Sequence, residues 1–92
     1  MGTPETSIVI RTFNEEKHLP TLLESIRDQR YQDFEIIVVD SGSFDRTREI
    51  AESHCDKLLR INSQDFTFGY SLNCGIDASK GRYVVMVSAH TQ

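Results

Sequence analysis

The residues of this 92-residue chain best placed to do chemistry are Asp40-Ser41-Gly42-Ser43, directly after Ile36-Ile37-Val38-Val39. Four β-branched apolar residues in a row read as a strand buried on both faces, and a carboxylate followed by a small, flexible turn ends it. In open α/β sheets ligands bind outside the carboxyl ends of the strands. Asp40 is therefore placed to read a ligand, and equally to cap its own turn or the next helix; both roles are open on position alone. Thr12-Phe13-Asn14-Glu15 and Ser88-Ala89-His90-Thr91 end two further apolar runs in the same way. If the strands are parallel, all three turns share one edge and can converge on one ligand. Two of them lead into helix N-termini, whose free N–H groups favour phosphate. The chemistry implied is binding of an anionic or nucleotide ligand. Neither GxGxxG nor GxxxxGKS/T occurs, which excludes a dinucleotide fingerprint and a P-loop.

The elements that must position these turns alternate along the chain. Residues 7–12 are dense in β-branched side chains and read as a first strand. Asn14, Glu15 and Glu16 supply a cap and negative charge for a helix whose apolar face is Leu19, Leu22, Leu23 and Ile26. Pro20 fits only near the start of that helix, with residues 15–18 as a separate first turn. A second strand spans 35–40, and Asp45 is the expected N-cap of a helix over 46–53. A short third strand at 57–61 leads into a loop over 62–69 carrying Phe66 and Phe68. A helix follows at 70–79, closed by Gly81 as a C-terminal cap, and then a fourth strand at 82–88. Such alternation predicts an α/β fold with a mostly parallel sheet of about four strands. Residues 1–6 are expected to be a disordered lead-in and 7–92 one domain.

Composition narrows the function classes. A net charge of −4 without any Lys/Arg cluster argues against a nucleic-acid surface. No apolar run is long enough to span a bilayer, and the first residues do not read as a signal peptide, so none is expected. Cys55 and Cys74 lack metal or redox spacing, so they read as structural thiols of a reducing, cytoplasmic compartment. Ninety-two residues are few for a closed α/β sheet, so the domain is expected to be truncated.

Three stretches carry a resemblance: Ser-Ile-Val-Ile-Arg-Thr-Phe-Asn-Glu-Glu from Ser7, Glu-Ile-Ile-Val-Val-Asp-Ser-Gly-Ser-Phe-Asp-Arg-Thr from Glu35, and Ser-Leu-Asn-Cys-Gly-Ile-Asp-Ala-Ser-Lys-Gly-Arg-Tyr-Val-Val from Ser71. In this order they resemble family 2 glycosyltransferases over residues 7–90. The resemblance implies the nucleotide-sugar-binding N-terminal half of the GT-A fold, a Rossmann-like three-layer arrangement. It implies an enzyme that moves a sugar from a nucleotide diphosphate donor to the hydroxyl of a glycan, lipid or polysaccharide acceptor, with inversion. Thr12, Phe13 and Glu15 match positions that contact the base and ribose, with Phe13 offering an aromatic face. Asp40 matches the position that reads the base edge, and Asn73 and Gly75 match an Asn-x-Gly element.

The chain departs from the family pattern in places. Ser41 stands where a second acid is frequent, and Leu72 replaces an Arg. Lys80 and Arg82 can approach the diphosphate or remain solvated. Where relatives carry Asp-x-Asp, whose carboxylates hold Mg²⁺ or Mn²⁺ against the diphosphate, this chain has Ser88-Ala89-His90. His90 can ligate Mn²⁺ or contact phosphate, whereas Ser88 is a poor metal ligand. The catalytic base is expected beyond Gln92, so the 92 residues alone should be inactive, although the full protein could associate peripherally with a membrane. Two rivals stand beside this reading: a non-catalytic nucleotide-binding or interaction module, and a phosphoacceptor domain using Asp40. The second rival needs an acidic pair after the first strand, where Thr12-Phe13-Asn14 stands instead.

Overall fold

In the computed structural model the described residues are 3–61 and 68–88, and the side chains of residues 68–72 and 88 lie outside the description. The elements run β1 (Thr6–Thr12), α1 (Leu19–Asp28), β2 (Phe34–Asp40), α2 (Thr47–His54), β3 (Lys57–Arg60), α3 (Phe68–Ala78) and β4 (Tyr83–Ser88). All pairings in the four-stranded sheet are parallel, in the order β3-β2-β1-β4. Every residue of β2 is buried, as its unbroken apolar run requires of a strand covered on both faces.

Side-chain alternation divides the core into two layers. Ile8, Ile10, Ile36 and Val38 meet Leu19, Leu23 and Ile26 of α1 and Ala51 of α2 on one face. Val9, Ile37 and Val39 meet Cys74 and Ala78 of α3 on the other. The fold is thus a three-layer α/β arrangement. Both cysteines are free and pack at the edges of these layers. Burial, with the neighbouring Asp56 carboxylate, pushes the Cys55 thiol up.

Several boundaries differ from the sequence expectation. Thr6 pairs with both Phe34 and Tyr83, and the Glu5 carbonyl accepts the Tyr83 N–H, so the ladder starts inside the expected lead-in. Helix α1 does begin with Pro20 in its first turn, after a separate turn in which Glu15 O accepts from the His18 and Leu19 N–H groups. That turn moves Glu15 and Glu16 outside the first helical turn, which contains no acid. Helix α3 starts at Phe68, a residue expected in the preceding loop.

Gly81 has a different reason for being glycine. Among the described glycines only Gly42 has positive φ, so Gly81 is not a left-handed cap. A Cβ on Gly81 would lie 2.5 Å from the Ser7 backbone N. The close approach lets the Gly81 N–H reach Ser7 Oγ at 2.8 Å. Ser7 Oγ in turn donates to Glu35 Oε2 at 2.5 Å, which also accepts the Lys80 N–H at 2.7 Å. Lys57 Nζ lies 3.6 Å from Glu35 Oε1. Burial pulls the Glu35 carboxyl upward, but these donors and the Lys57 charge outweigh it and hold the group below its usual range. This polar latch ties the amino edge of the sheet together, away from the turns at the carboxyl edge.

Candidate functional site

The strand order makes the carboxyl edge of β1 and β4 a switch point. From β1 the chain winds outward through β2 to β3, then returns to place β4 on the other side of β1. Such a crevice is where open α/β sheets take ligands. The parallel register sets Thr12 beside Asp40 and Arg11 beside Ser88, so the strand ends reach one level.

Asp40 is fully buried, and its carboxylate organises two turns at once. Oδ1 accepts from the Thr12 hydroxyl at 2.8 Å and from the Ser43 hydroxyl at 2.5 Å. Oδ2 accepts the backbone N–H groups of Ser43 at 2.9 Å and Gly42 at 3.2 Å. Of the two roles that position left open, this geometry displays turn capping. Gly42 has φ 91, a conformation that disfavours any side chain, and it lets the turn fold back onto the carboxylate.

Asn14 closes the arrangement from the β1 side. Its N–H donates to Ser43 Oγ at 2.8 Å, and its Oδ1 accepts the Phe44 N–H at 2.8 Å. Its φ of 52 is left-handed, a strain that Asn bears better than most residues and that these bonds offset. Asn14 therefore joins the two turns instead of capping α1, whose cap position is His18. Next to it, Thr47 Oγ1 accepts the Glu15 N–H at 2.7 Å and donates to Asp45 Oδ1, which also accepts the Thr47 N–H at 3.0 Å. Helix α2 begins one residue later than expected, so its N-cap position is Arg46 and not Asp45; Asp45 lies one residue further out and holds the Thr47 N–H and hydroxyl from there. Burial pulls its carboxyl upward, but bonds from Thr47 and from the Glu16 N–H outweigh it and hold it below the usual carboxylate range.

The other expected site residues are distributed around this lock. Phe13 is 38% exposed, Glu15 is buried, and both line one cavity. Asn73 lies exposed on α3. The backbone of Ser88 ends β4, while its side chain and His90 lie outside the described residues. Among the described residues no group of three or more His, Cys, Asp or Glu side chains could hold a metal. No helix there is long and apolar enough to cross a membrane.

Sequence reasoning passed over three features. Ser41 Oγ is buried without a hydrogen-bond partner. Its N–H donates to the Thr12 carbonyl and extends the ladder, so alternation puts its side chain on the α3 face. Thr47 is fully buried, and the Asp45-x-Thr47 spacing was the signal for it. Phe44 is 87% exposed and stands edge to face with Phe13, ring centroids 6.2 Å apart.

Comparison with known proteins identifies the family and the fold. The family model described as Glycosyl transferase family 2 matches residues 7–92. An uncharacterized glycosyltransferase of Rickettsia prowazekii is 37% identical over 86 residues, covering 94% of this chain and 27% of its own length. The glycosyltransferase GlyG of Streptococcus pneumoniae is 36% identical over 87 residues, covering 90% and 29%. The chain thus spans little more than a quarter of the length of these two relatives. Among solved structures, S. aureus TarS residues 1–349 in complex with UDP-GlcNAc superposes with TM-score 0.79 at 27% identity, covering 92% of this chain and 26% of that one. The mannosyltransferase PcManGT of Pyrobaculum calidifontis, in complex with GDP-Man and Mn²⁺, gives TM-score 0.79 at 28% identity, covering 97% and 28%.

Proposed function

The chain belongs to glycosyl transferase family 2, and from that membership we propose that it is the donor-binding part of a glycosyltransferase, taking a nucleotide diphosphate sugar at the carboxyl edge of its sheet. The observation that carries this reading is the Thr12–Asp40–Ser43–Asn14 lock, which fixes two adjacent turns at the switch point. Bound UDP-GlcNAc in TarS and GDP-Man in PcManGT support a nucleotide-sugar donor.

In this reading Phe13 stacks against the base, and Thr12 and Asp40 act by holding the turns whose backbone and rim groups meet the nucleotide. Glu15 and Asn73 contribute polar contacts around the ribose and donor, and His90 contacts phosphate or a cation. An acceptor hydroxyl attacks the anomeric carbon, the bond from that carbon to the diphosphate oxygen breaks with inversion, and a carboxylate base takes the hydroxyl proton. That base, and the pocket for a glycan, lipid or polysaccharide acceptor, belong to the part of the fold that these residues do not span. The 92 residues alone bind donor and transfer nothing. Mn²⁺ or Mg²⁺ would neutralise the leaving diphosphate, but the described residues contain no group of side chains that could hold either ion. Two free cysteines fit a cytoplasmic protein, and peripheral membrane association belongs to the whole protein.

A second reading, a nucleotide-binding module without transfer, is favoured by Ser88 in place of an acid. Calorimetric titration with UDP, GDP and dTDP, with and without Mn²⁺, tests what both readings share. Binding of at least one diphosphate supports them, and the absence of any binding removes both.

A further inference from the structure

We infer that Phe44 is a second base-stacking residue, forming with Phe13 an aromatic corner that grips the flat ring of the donor nucleotide. The inference rests on the donor-binding reading above and adds a residue to it.

An aromatic ring that is 87% exposed does no packing work in the core. Yet its backbone is among the most firmly held on this edge. The Phe44 N–H donates to Asn14 Oδ1 at 2.8 Å, and the preceding Ser43 is tied to Asp40 through both its N–H and its hydroxyl. The left-handed Asn14 that accepts the Phe44 N–H and donates to Ser43 Oγ also directly follows Phe13. One strained residue therefore sets the positions of both rings.

Their geometry suits a flat ligand. The ring planes meet at 74° with centroids 6.2 Å apart. A heterocycle stacked on one ring presents its edge to the other, and both contacts are favourable for aromatic pairs. Cavities open on both sides of the corner, one of about 470 Å³ beside Phe13 and Lys17 and one of about 290 Å³ beside Phe44, Arg48 and Arg60. Asp45, Glu49 and Glu52 line the Phe44 side together with the two arginines, so that cavity offers no net positive charge and the inference rests on the rings themselves. Every base has a π-face, so such a corner raises affinity without choosing the base. Choice falls to polar groups that line the two cavities, such as Asn14 and Ser43.

The test is calorimetric titration of the chain and its Phe44→Ala, Phe44→Leu and Phe44→Tyr variants with UDP, GDP and inorganic pyrophosphate. Because Phe44 is exposed, all variants should melt as the parent does. Phe44→Ala and Phe44→Leu should weaken UDP and GDP by a common factor of about 5 or more, the size expected of a lost base stack. Pyrophosphate binding should not change, and Phe44→Tyr should retain parental affinity. Unchanged nucleotide affinity in Phe44→Ala overturns the inference, and so does an equal loss for pyrophosphate or full rescue by Leu. The parent titration judges the donor-binding reading separately, since only binding by the parent followed by an indifferent variant sinks Phe44 alone.

Discussion

Replacing Asp40 with Asn separates a turn organiser from a ligand reader, because only the first role predicts a loss of stability. The carboxylate accepts four hydrogen bonds, two on each oxygen, in a fully buried setting. Asn keeps one acceptor oxygen for the Gly42 and Ser43 N–H groups. Its amide nitrogen must then face the Thr12 and Ser43 hydroxyls, which have to reverse and accept. Ser43 Oγ already accepts the Asn14 N–H, so that reversal crowds it. Hydrogen bonds to a charged group contribute about 1.5–3 kcal/mol and neutral ones about 0.5–1.5 kcal/mol, a difference of about 1–1.5 kcal/mol per bond; the four bonds share one carboxylate and do not add in full, so losing the charge costs about 2–4 kcal/mol. A chain of 92 residues has a total stability of about 5–14 kcal/mol, so the loss is a large share. At about 4–8 °C per kcal/mol, thermal unfolding followed by circular dichroism should shift down by about 10 °C or more. Thr12→Val removes one donor only and should shift it less. A ligand reader would behave differently: D40N would leave unfolding untouched and reduce nucleotide affinity alone. An Asp40→Asn protein within about 0.5 kcal/mol of the parent in urea titration refutes the organiser role, since changes that small are typical of ordinary surface sites.

Three further outcomes follow from particular contacts. Ser41→Ala removes a buried hydroxyl that has no partner, so it should be neutral or stabilising by up to about 1 kcal/mol; a clear loss in urea titration would show that the hydroxyl is engaged. Gly81→Ala drives a Cβ against the backbone of the central strand β1 and should cost about 3 kcal/mol, whereas Gly75→Ala meets the Val9 side chain, which can repack, at about 1–2 kcal/mol; the reverse order would refute the close-approach argument. Glu35 titrates below its ordinary value of 4.5 in the folded chain, so its contribution is present above that pH and fades as pH falls through the folded value. The stability gap between the parent and Glu35→Gln should therefore be widest near pH 7 and close in acid, and a gap constant from pH 7 to pH 3 would contradict the latch.

The scaffold was legible because its signals are local. β-branched runs marked β1, β2 and β4, and a short apolar pair, Leu58-Leu59, marked β3, all to within a residue or so, and Pro20 fixed where α1 begins. What stayed hidden depends on residues far apart in sequence. Asn14 looks like a helix cap beside two glutamates, but its partners Ser43 and Phe44 are 29 and 30 positions away. Gly81 looks like a C-cap after a helix, and only the β1 backbone packed against it shows otherwise. Asp40 was located correctly at a strand end, yet its four donors come from two different turns, so position alone could not decide its role. Phe44 carried no sequence signal beyond being an apolar residue in a polar turn.

Backbone amide chemical shifts, recorded as UDP and GDP are titrated into the chain, test the central claim most directly. Donor binding at the carboxyl edge predicts that perturbations concentrate at residues 12–16 and 40–47, with the latch residues Ser7, Glu35 and Gly81 unmoved. Perturbations centred on the latch, or none at saturating nucleotide, would contradict it.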